Sequence, residues 1–319
     1  NMQEDVQKLI DNGYLTVKKH PEADLYIYNY TRKTQYENLW NEITLTHRGL
    51  IKDKNDNIVS RPFRKFFNIE ELPLVGLSLP HALFDVYDKL DGSLGISYWY
   101  NGKPWLATRG SFDGEQALHG SKILQEKYKE VKLNPKLTYL FEIIYPENRI
   151  VVDYKGIDDI TLLAVIDTQN KGEFNLDDID TPFPKAKKSV NGASTLYDLK
   201  DLNYKNQEGF VIYYPSMDFR VKVKFEWYQR MHRLLSGITE TKIWEILSCY
   251  DDPENIYSSL ENDEIFHWIK QIRNKLLMEH KNVIDIVYTE FKDFGDRKEN
   301  AMYYKTCSFP YLMFLLLDK

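Results

Sequence analysis

Apolar and polar positions alternate with a period of two through most of the first 225 or so residues; beyond that the apolar positions fall three and four apart. Val6, Leu9 and Ile10 predict a short helix over 3–12, stopped by Gly13. Leu15 to Tyr30 alternates, most clearly at Leu25-Tyr26-Ile27-Tyr28. Thr46 to Ile51 and Ile58 to Asn68 add strand signals on either side of a polar turn. Phe84 to Asp88 predicts a half-buried strand that runs out at Lys89. Asp91-Gly92 is a turn dipeptide, and Leu94 to Tyr100 reads as the returning strand of a hairpin. Asn101-Gly102 predicts another hairpin turn. Gly114 to Val131 has a helical stripe through Ala117, Leu118, Ile123, Leu124 and Tyr128. Leu137 to Tyr145, Ile150 to Tyr154 and Ile160 to Ile166 predict strands, and 167–206 an edge hairpin, a turn and a small helix. Two more strands follow, Glu208 to Ile212 and Phe219 to Phe225. Helices are then predicted over 227–235, 241–250, 263–280 and 282–294, with short ones around Pro310. The change of period sets a domain boundary near 235, with an α+β domain over 2–235 and a smaller all-helical domain over 236–319.

Composition narrows the class. The chain has 319 residues, enough for two domains, and no run near the ~20 apolar residues of a membrane span. No leader-like segment opens it. Its two cysteines, Cys249 and Cys307, form neither a disulfide framework nor a zinc pattern. The expectation is a cytoplasmic monomer with no membrane partner. A net charge of −6 argues against a coat for nucleic acid, but the charge is uneven. Arg48, Lys52, Lys54, Arg61, Arg64 and Lys65 cluster in one stretch, and Arg220, Lys222, Lys224, Arg230 and Arg233 in another. The acidic excess gathers at Asp251, Asp252 and Glu254 and again at 261–264.

Lys89, at the lip of a strand beside a carboxylate and a glycine turn, is a candidate nucleophile. A lysine serves as one only when its surroundings lower its pKa. Taken alone, Lys-x-Asp-Gly-Ser also fits a solvated hairpin end. Lys222 and Lys224 are two apart, so they share one side of a strand with Arg220, while Val221 and Val223 face the other way. Glu142 lies inside an apolar strand, where a charge must be paired, liganded or part of a site. Glu208 opens a strand just before Gly209.

These signals occur in one order: Arg48-Gly, Lys65-Phe-Phe, Lys89-x-Asp-Gly-Ser, Arg109-Gly-Ser, Phe141-Glu142, Glu208-Gly-Phe and Lys222-x-Lys224. In that order they resemble the nucleotidyltransferase superfamily of ATP-dependent ligases and capping enzymes, most closely the phage RNA ligase 1 family, which reseals broken tRNA. Arg-Pro-Phe-x-Lys-Phe-Phe-Asn (61–68) and Pro-x-Asn-Arg-Ile-Val (146–151) are similar to that family rather than to DNA ligases. The resemblance covers roughly residues 45 to 230.

It implies an adenylyltransferase domain built on antiparallel sheets with flanking helices. It also implies ATP and Mg²⁺ or Mn²⁺ as cofactors, and RNA with 5′-phosphate and 3′-hydroxyl ends, such as cleaved tRNA, as partner. Lys89 would form a lysyl–AMP, with Lys222 and Lys224 on the α-phosphate and their field, with a nearby metal, helping to keep Lys89 deprotonated. Glu208 would hold the metal. Asp91 would orient Lys89 or a metal-bound water, next to Gly92. Glu142 would accept from ribose hydroxyls with Arg109 close to the same nucleotide. Arg48 and Lys65, with Phe67 beside them, would grip the β- and γ-phosphates. Tyr228 matches a tyrosine near the γ-phosphate, and Asp251-Asp252 falls roughly where the family has a paired aspartate, metal-linked or simply an acidic loop. The helical tail matches the family least. Two further readings stay open: a DNA ligase or GTP-dependent capping enzyme, and a non-catalytic module that binds RNA ends.

Overall fold

The computed structural model describes residues 1–189, 196–236, 241 and 263–318. The chain divides into two compact units, Asn1–Arg233 and Leu234–Lys319. The first is built on three four-stranded sheets. An N-terminal sheet takes β1 (Leu15–Lys19), β2 (Leu25–Tyr30), β3 (Arg48–Asp53) and β4 (Ile58–Ser60) in sequence order. β5 (Phe67–Asn68) and β6 (Asp85–Lys89) leave for another sheet. β7 (Ser93–Tyr100), β8 (Lys103–Ala107), β9 (Leu137–Ile144) and β10 (Asp159–Asp167) form a central sheet ordered β10-β9-β7-β8. β11 (Gly209–Tyr214) and β12 (Phe219–Lys224) complete the third sheet, ordered β5-β12-β11-β6. Pairing is antiparallel throughout except at β12–β5, a two-residue parallel contact.

The central sheet is covered on both faces. The helix Glu115–Glu126 puts Leu124 into a core with Leu106, Phe141, Ile143 and Leu162. The N-terminal sheet lays Ile27 and Ile51 against Ile96, Tyr98, Leu140 and Ala164 on the opposite face. Leu140 and Phe141 are neighbours and therefore point to opposite cores. Leu162 and Ala164, two apart, should share a face, but a bulge between them turns Ala164 to the other side. Each of these fully buried aliphatic side chains contributes about 1.5–3 kcal/mol from leaving water.

Three local expectations differ from the structure. The strands either side of Asp91-Gly92 are not a hairpin, since β6 pairs with β11 and β7 with β8 and β9. The turn carries the chain from one sheet to another. A Cβ at Gly92 would lie 2.4 Å from the Ile143 carbonyl oxygen, so only glycine allows that passage. Residues 150–154 form no strand; the Val151 and Val152 amides donate to Asp91 instead of to a ladder. In the second unit the two helices expected over 263–294 are one, Asp263–Glu290, because neither Gly nor Pro interrupts the run. Val287 from that helix packs with Tyr304 of Arg297–Tyr304 and Met313 of Pro310–Leu317. The Asn101-Gly102 turn is present, with φ of 53° and 73° as a two-residue hairpin requires. The helix expected over 241–250 lies outside the described residues apart from Thr241.

Candidate active site

The register of the third sheet assembles the lysines. Gly209 on β11 lies opposite Lys89 on β6 and Lys224 on β12, and Val211 lies opposite Tyr87 and Lys222. Opposed residues, and residues two apart, share a face. Lys89, Lys222 and Lys224 therefore stand on one side of the sheet. The other side is core, with Phe210, Ile212 and Val221 fully buried. Gly209 is obligatory here. Its φ is +152°, and a Cβ would fall 1.9 Å from the Val223 carbonyl oxygen.

Two carboxylates face this row. Glu208 is buried, and its Oε1 lies 3.2 Å from Lys89 Nζ. Glu142, on β9 of the central sheet, accepts from the Gly92 amide at 3.0 Å. Burial, offset in part by Lys89, pushes Glu142 up to about 7. Burial likewise raises Glu208. Burial also acts to lower the pKa of Lys89, but Glu208, Glu142 and Asp91 outweigh it and hold the ammonium above its ordinary range. Lys222 and Lys224 by themselves do not outweigh these acids. Lys222 carries the penalty instead. Burial, with Lys65, Lys89, Lys224 and Arg48 around it, brings it down to about 7.

A second cationic group stands around Tyr30 at the end of β2. Arg109 donates to the Tyr30 hydroxyl at 3.0 Å, and its guanidinium carbon lies 4.8 Å from the ring centre. Lys65 Nζ lies 5.7, 5.6 and 5.1 Å from the rings of Tyr30, Trp40 and Phe67. Burial acts to raise the Tyr30 phenol, yet Arg48, Lys65 and Arg109 together pull it below its usual value. Arg48 Nε is buried without a hydrogen-bond partner among the described residues. An orphaned charged donor amid other cations is suited to a phosphate oxygen.

Asp91 is differently employed. Its Oδ2 accepts from the Val151 and Val152 amides at 2.9 Å each, and its Oδ1 from the Tyr228 hydroxyl at 2.7 Å. Its own amide donates to the Tyr154 hydroxyl at 2.7 Å. The acid expected to orient Lys89 is a knot joining the sheet crossing to 151–154 and to the helix Glu226–Ser236, and Tyr228, expected at the γ-phosphate, is part of that knot. Asp251 and Asp252 lie outside the described residues.

A cavity of about 340 Å³ opens beside Lys89, with Arg48, Lys89 and Glu142 in its wall and the apolar side chains of Phe66, Leu163 and Val211 beyond them. Leu163 is the bulged residue of β10.

A family model described as RNA ligase, of the phage T4 ligase 1 type, matches residues 46–228. The chain belongs to this RNA ligase family. It is 29% identical over 263 residues to an Autographa californica nuclear polyhedrosis virus protein provisionally named a bifunctional polynucleotide kinase/RNA ligase, covering 72% of this chain and 36% of that protein. It is 29% identical over 237 residues to a Thermovibrio ammonificans protein provisionally named an RNA ligase, covering 68% and 61%. The chain thus spans about a third and about three-fifths of the length of these curated relatives. Among solved structures, one provisionally named an ATP-dependent DNA ligase from Aquifex aeolicus superposes with a TM-score of 0.54 at 14% identity, over 87% of this chain and 78% of that one. An archaeal ATP-dependent RNA ligase gives 0.51 at 14%, over 95% and 85%. At such identity the likeness shows the fold, an α+β nucleotidyltransferase fold.

Within this RNA ligase family member, three residues of the site escaped the sequence reading. Tyr30 ends an alternating aromatic strand in which nothing sets it apart from Tyr26 or Tyr28. Tyr154 lay in an expected strand. Glu173 lay in the polar stretch after β10, where composition suggests only an edge. Glu173 forms a buried pair with Arg220, the first cation of the β12 row.

Proposed function

We propose that this chain is an ATP-dependent RNA ligase that joins 5′-phosphate and 3′-hydroxyl RNA ends, with cleaved tRNA as a natural class of substrate. The observation that carries the reading is the convergence of Lys89, Glu208, Lys222 and Lys224 on one face of one sheet, through the register at Gly209.

In this reading Lys89 first gives its ammonium proton to Glu208, 3.2 Å away, whose proton affinity burial has raised; the amine then attacks the α-phosphorus of ATP, a P–N bond forms and pyrophosphate leaves. An oxygen of the RNA 5′-phosphate then takes the AMP from Lys89, and the RNA 3′-hydroxyl displaces AMP to close the phosphodiester. Lys222 and Lys224 spread the charge that develops on the α-phosphate. Arg48, Lys65 and Arg109 hold the polyphosphate tail, which keeps pyrophosphate in line as the leaving group. Glu142, with its proton affinity raised, accepts from or donates to the ribose. Asp91 positions the Lys89 turn through its hydrogen bonds to Val151, Val152 and Tyr228.

The site also fits a divalent cation. Glu208 and Glu142 crowd negative charge in a buried place, and positive charge relieves it. The described residues hold no group of three His, Cys, Asp or Glu at ligand spacing. Glu208 would therefore hold the ion with few protein ligands, as Mg²⁺ often is held alongside substrate phosphates and water. When bound, Mg²⁺ or Mn²⁺ supplies charge neutralisation at the phosphates.

The test is direct. Protein incubated with α-labelled ATP and Mg²⁺ is expected to carry covalent label that is acid-labile, and Lys89→Ala is expected to carry none. Supplied next with 5′-phosphorylated RNA, the labelled protein should yield circles. Label from GTP in place of ATP would move the chain to the capping-type reading, and RNA binding without any label to the non-catalytic one.

A further inference from the structure

The far end of the nucleotide cavity is closed by an arrangement that the phosphate chemistry does not use. Arg220 donates to Glu173 Oε1, and the side chains are only 11% and 9% exposed. The Arg220 guanidinium carbon lies 4.2 Å from the Phe63 ring centre and 3.9 Å from that of Tyr213. Burial, with the charge of Glu173 nearby, pushes the Tyr213 phenol up to about 12. Glu173, Arg220 and Tyr213 all line the cavity.

The local chain is built to deliver Glu173 there. Asp167 accepts from the amides of Gln169 and Asn170, Lys171 turns with φ of 67°, and the Asp167 amide donates to the Gly172 carbonyl at 2.7 Å. Glu173 then bridges back beside Ile166 of β10. The acid comes from beside the edge strand of the central sheet and the arginine from the third sheet, so the pair joins two sheets at the cavity wall. A buried pair of this kind is a poor source of stability, since desolvation offsets its attraction.

Position says what it meets. Tyr213 lies opposite Asp85 and Arg220, four residues along the strands from the row that holds Lys89. Four residues span roughly 13 Å of strand. Between the two ends the walls are apolar, with Val211, Leu163, Leu94 and Phe66. In the ligase reading, a nucleotide with its α-phosphorus at Lys89 would lay its base along these walls, with its polar edge toward Glu173.

We propose that Glu173, fixed by Arg220, is a specificity-determining acceptor that reads the exocyclic amino group of adenine and so selects ATP over GTP. This rests on the ligase reading above. At the 6-position adenine offers an N–H donor and guanine a carbonyl oxygen. A carboxylate accepts from the first and repels the second.

The experiment measures lysyl-nucleotide formation by the wild-type chain with ATP, GTP and purine riboside triphosphate, which lacks the amino group. ATP is expected to exceed the riboside by about ten-fold or more, the worth of a hydrogen bond to a charged acceptor. Glu173→Gln, whose amide both donates and accepts, should narrow the ATP-to-GTP ratio by a similar factor while still forming lysyl-AMP. Equal use of ATP and purine riboside triphosphate by the wild-type chain overturns the proposal without any variant, as does an unchanged ratio in a folded Glu173→Gln protein. If no nucleotide forms an adduct at all, the ligase reading itself fails. An adduct from ATP with a flat analogue series sinks only the assignment of Glu173.

Discussion

Two acids flank the lysine of this fold, and the regions around them behave in opposite ways. Asp91, two residues after Lys89, is saturated: two backbone amides and one phenol take its oxygens. Glu208, across the sheet, is as deeply buried, yet the hydrogen bonds and ion pairs described around its carboxylate come to a single partner, Lys89. A buried carboxylate with a full set of donors fixes geometry. One left to a single lysine raises its own proton affinity and that of the lysine, and it has lone pairs to offer a cation or a reacting group. The lesson is that proximity to a nucleophile does not assign a role; the accounting of each oxygen does.

The comparison breaks first at Glu208. Glu208→Gln keeps the shape, removes the charge, and should cut lysyl-AMP formation by about 10²–10³-fold, the cost of losing one preorganised charged partner, with a melting temperature near that of the parent. Asp91→Asn should do the reverse. An amide keeps one oxygen for the two backbone donors but turns an NH₂ on Tyr228, whose hydroxyl must then accept, so a charge-assisted bond is lost in a buried place at a cost of about 1–3 kcal/mol of stability. Chemical denaturation measures it. Activity per folded molecule should fall much less than in Glu208→Gln. If Asp91→Asn is stable and inactive, Asp91 belongs with Glu208 and the contrast is void.

Much of this was legible in the chain. Alternation located most of the strands, because a half-buried strand must write its two faces into the sequence. The sidedness of Lys222 and Lys224 follows from the same rule, with Val221 and Val223 buried behind them. What was not legible is which strand pairs with which. Asp91-Gly92 has the chemistry of a hairpin turn, and only the contact with Ile143 and Glu142 of a distant strand shows that it is a crossing. The same limit hid Asp91's true partners, which lie 60, 61 and 137 residues away. Tyr30 was invisible for a different reason. Its importance comes from three cations brought to it from β3, from 65 and from 109, and nothing in its own neighbourhood records that.

Glu142 sharpens the contrast through pH. Its folded-state pKa of about 7 stands above the ordinary 4.5 because burial disfavours the charge. Between those values the folded chain keeps a proton that the unfolded chain has released. Its contribution to stability is therefore whole below about pH 4.5, declines as pH rises, and is lost above about pH 7. Glu142→Gln removes this dependence, so the gap between variant and parent should move in favour of the variant from about pH 4 to about pH 8. Denaturation midpoints across that range test it. A gap that stays constant would mean that Glu142 is not titrating in this window.

The smallest effect separates the two regions most finely. Tyr228 donates to Asp91 and stands on the helix Glu226–Ser236 that follows the lysine strand. Burial, with Glu208 and Asp91 nearby, holds its phenol above the usual range, so it keeps its proton and acts as a donor. If its hydroxyl serves Asp91, Tyr228→Phe leaves that carboxylate with its two backbone donors, costs about 1–2 kcal/mol of stability, and leaves the KM for ATP unchanged. If the hydroxyl instead turns to the polyphosphate when nucleotide binds, the KM rises several-fold and stability without ATP hardly moves. Measuring both on one variant decides whether the helix after β12 belongs to the scaffold around Asp91 or to the phosphate grip around Lys65.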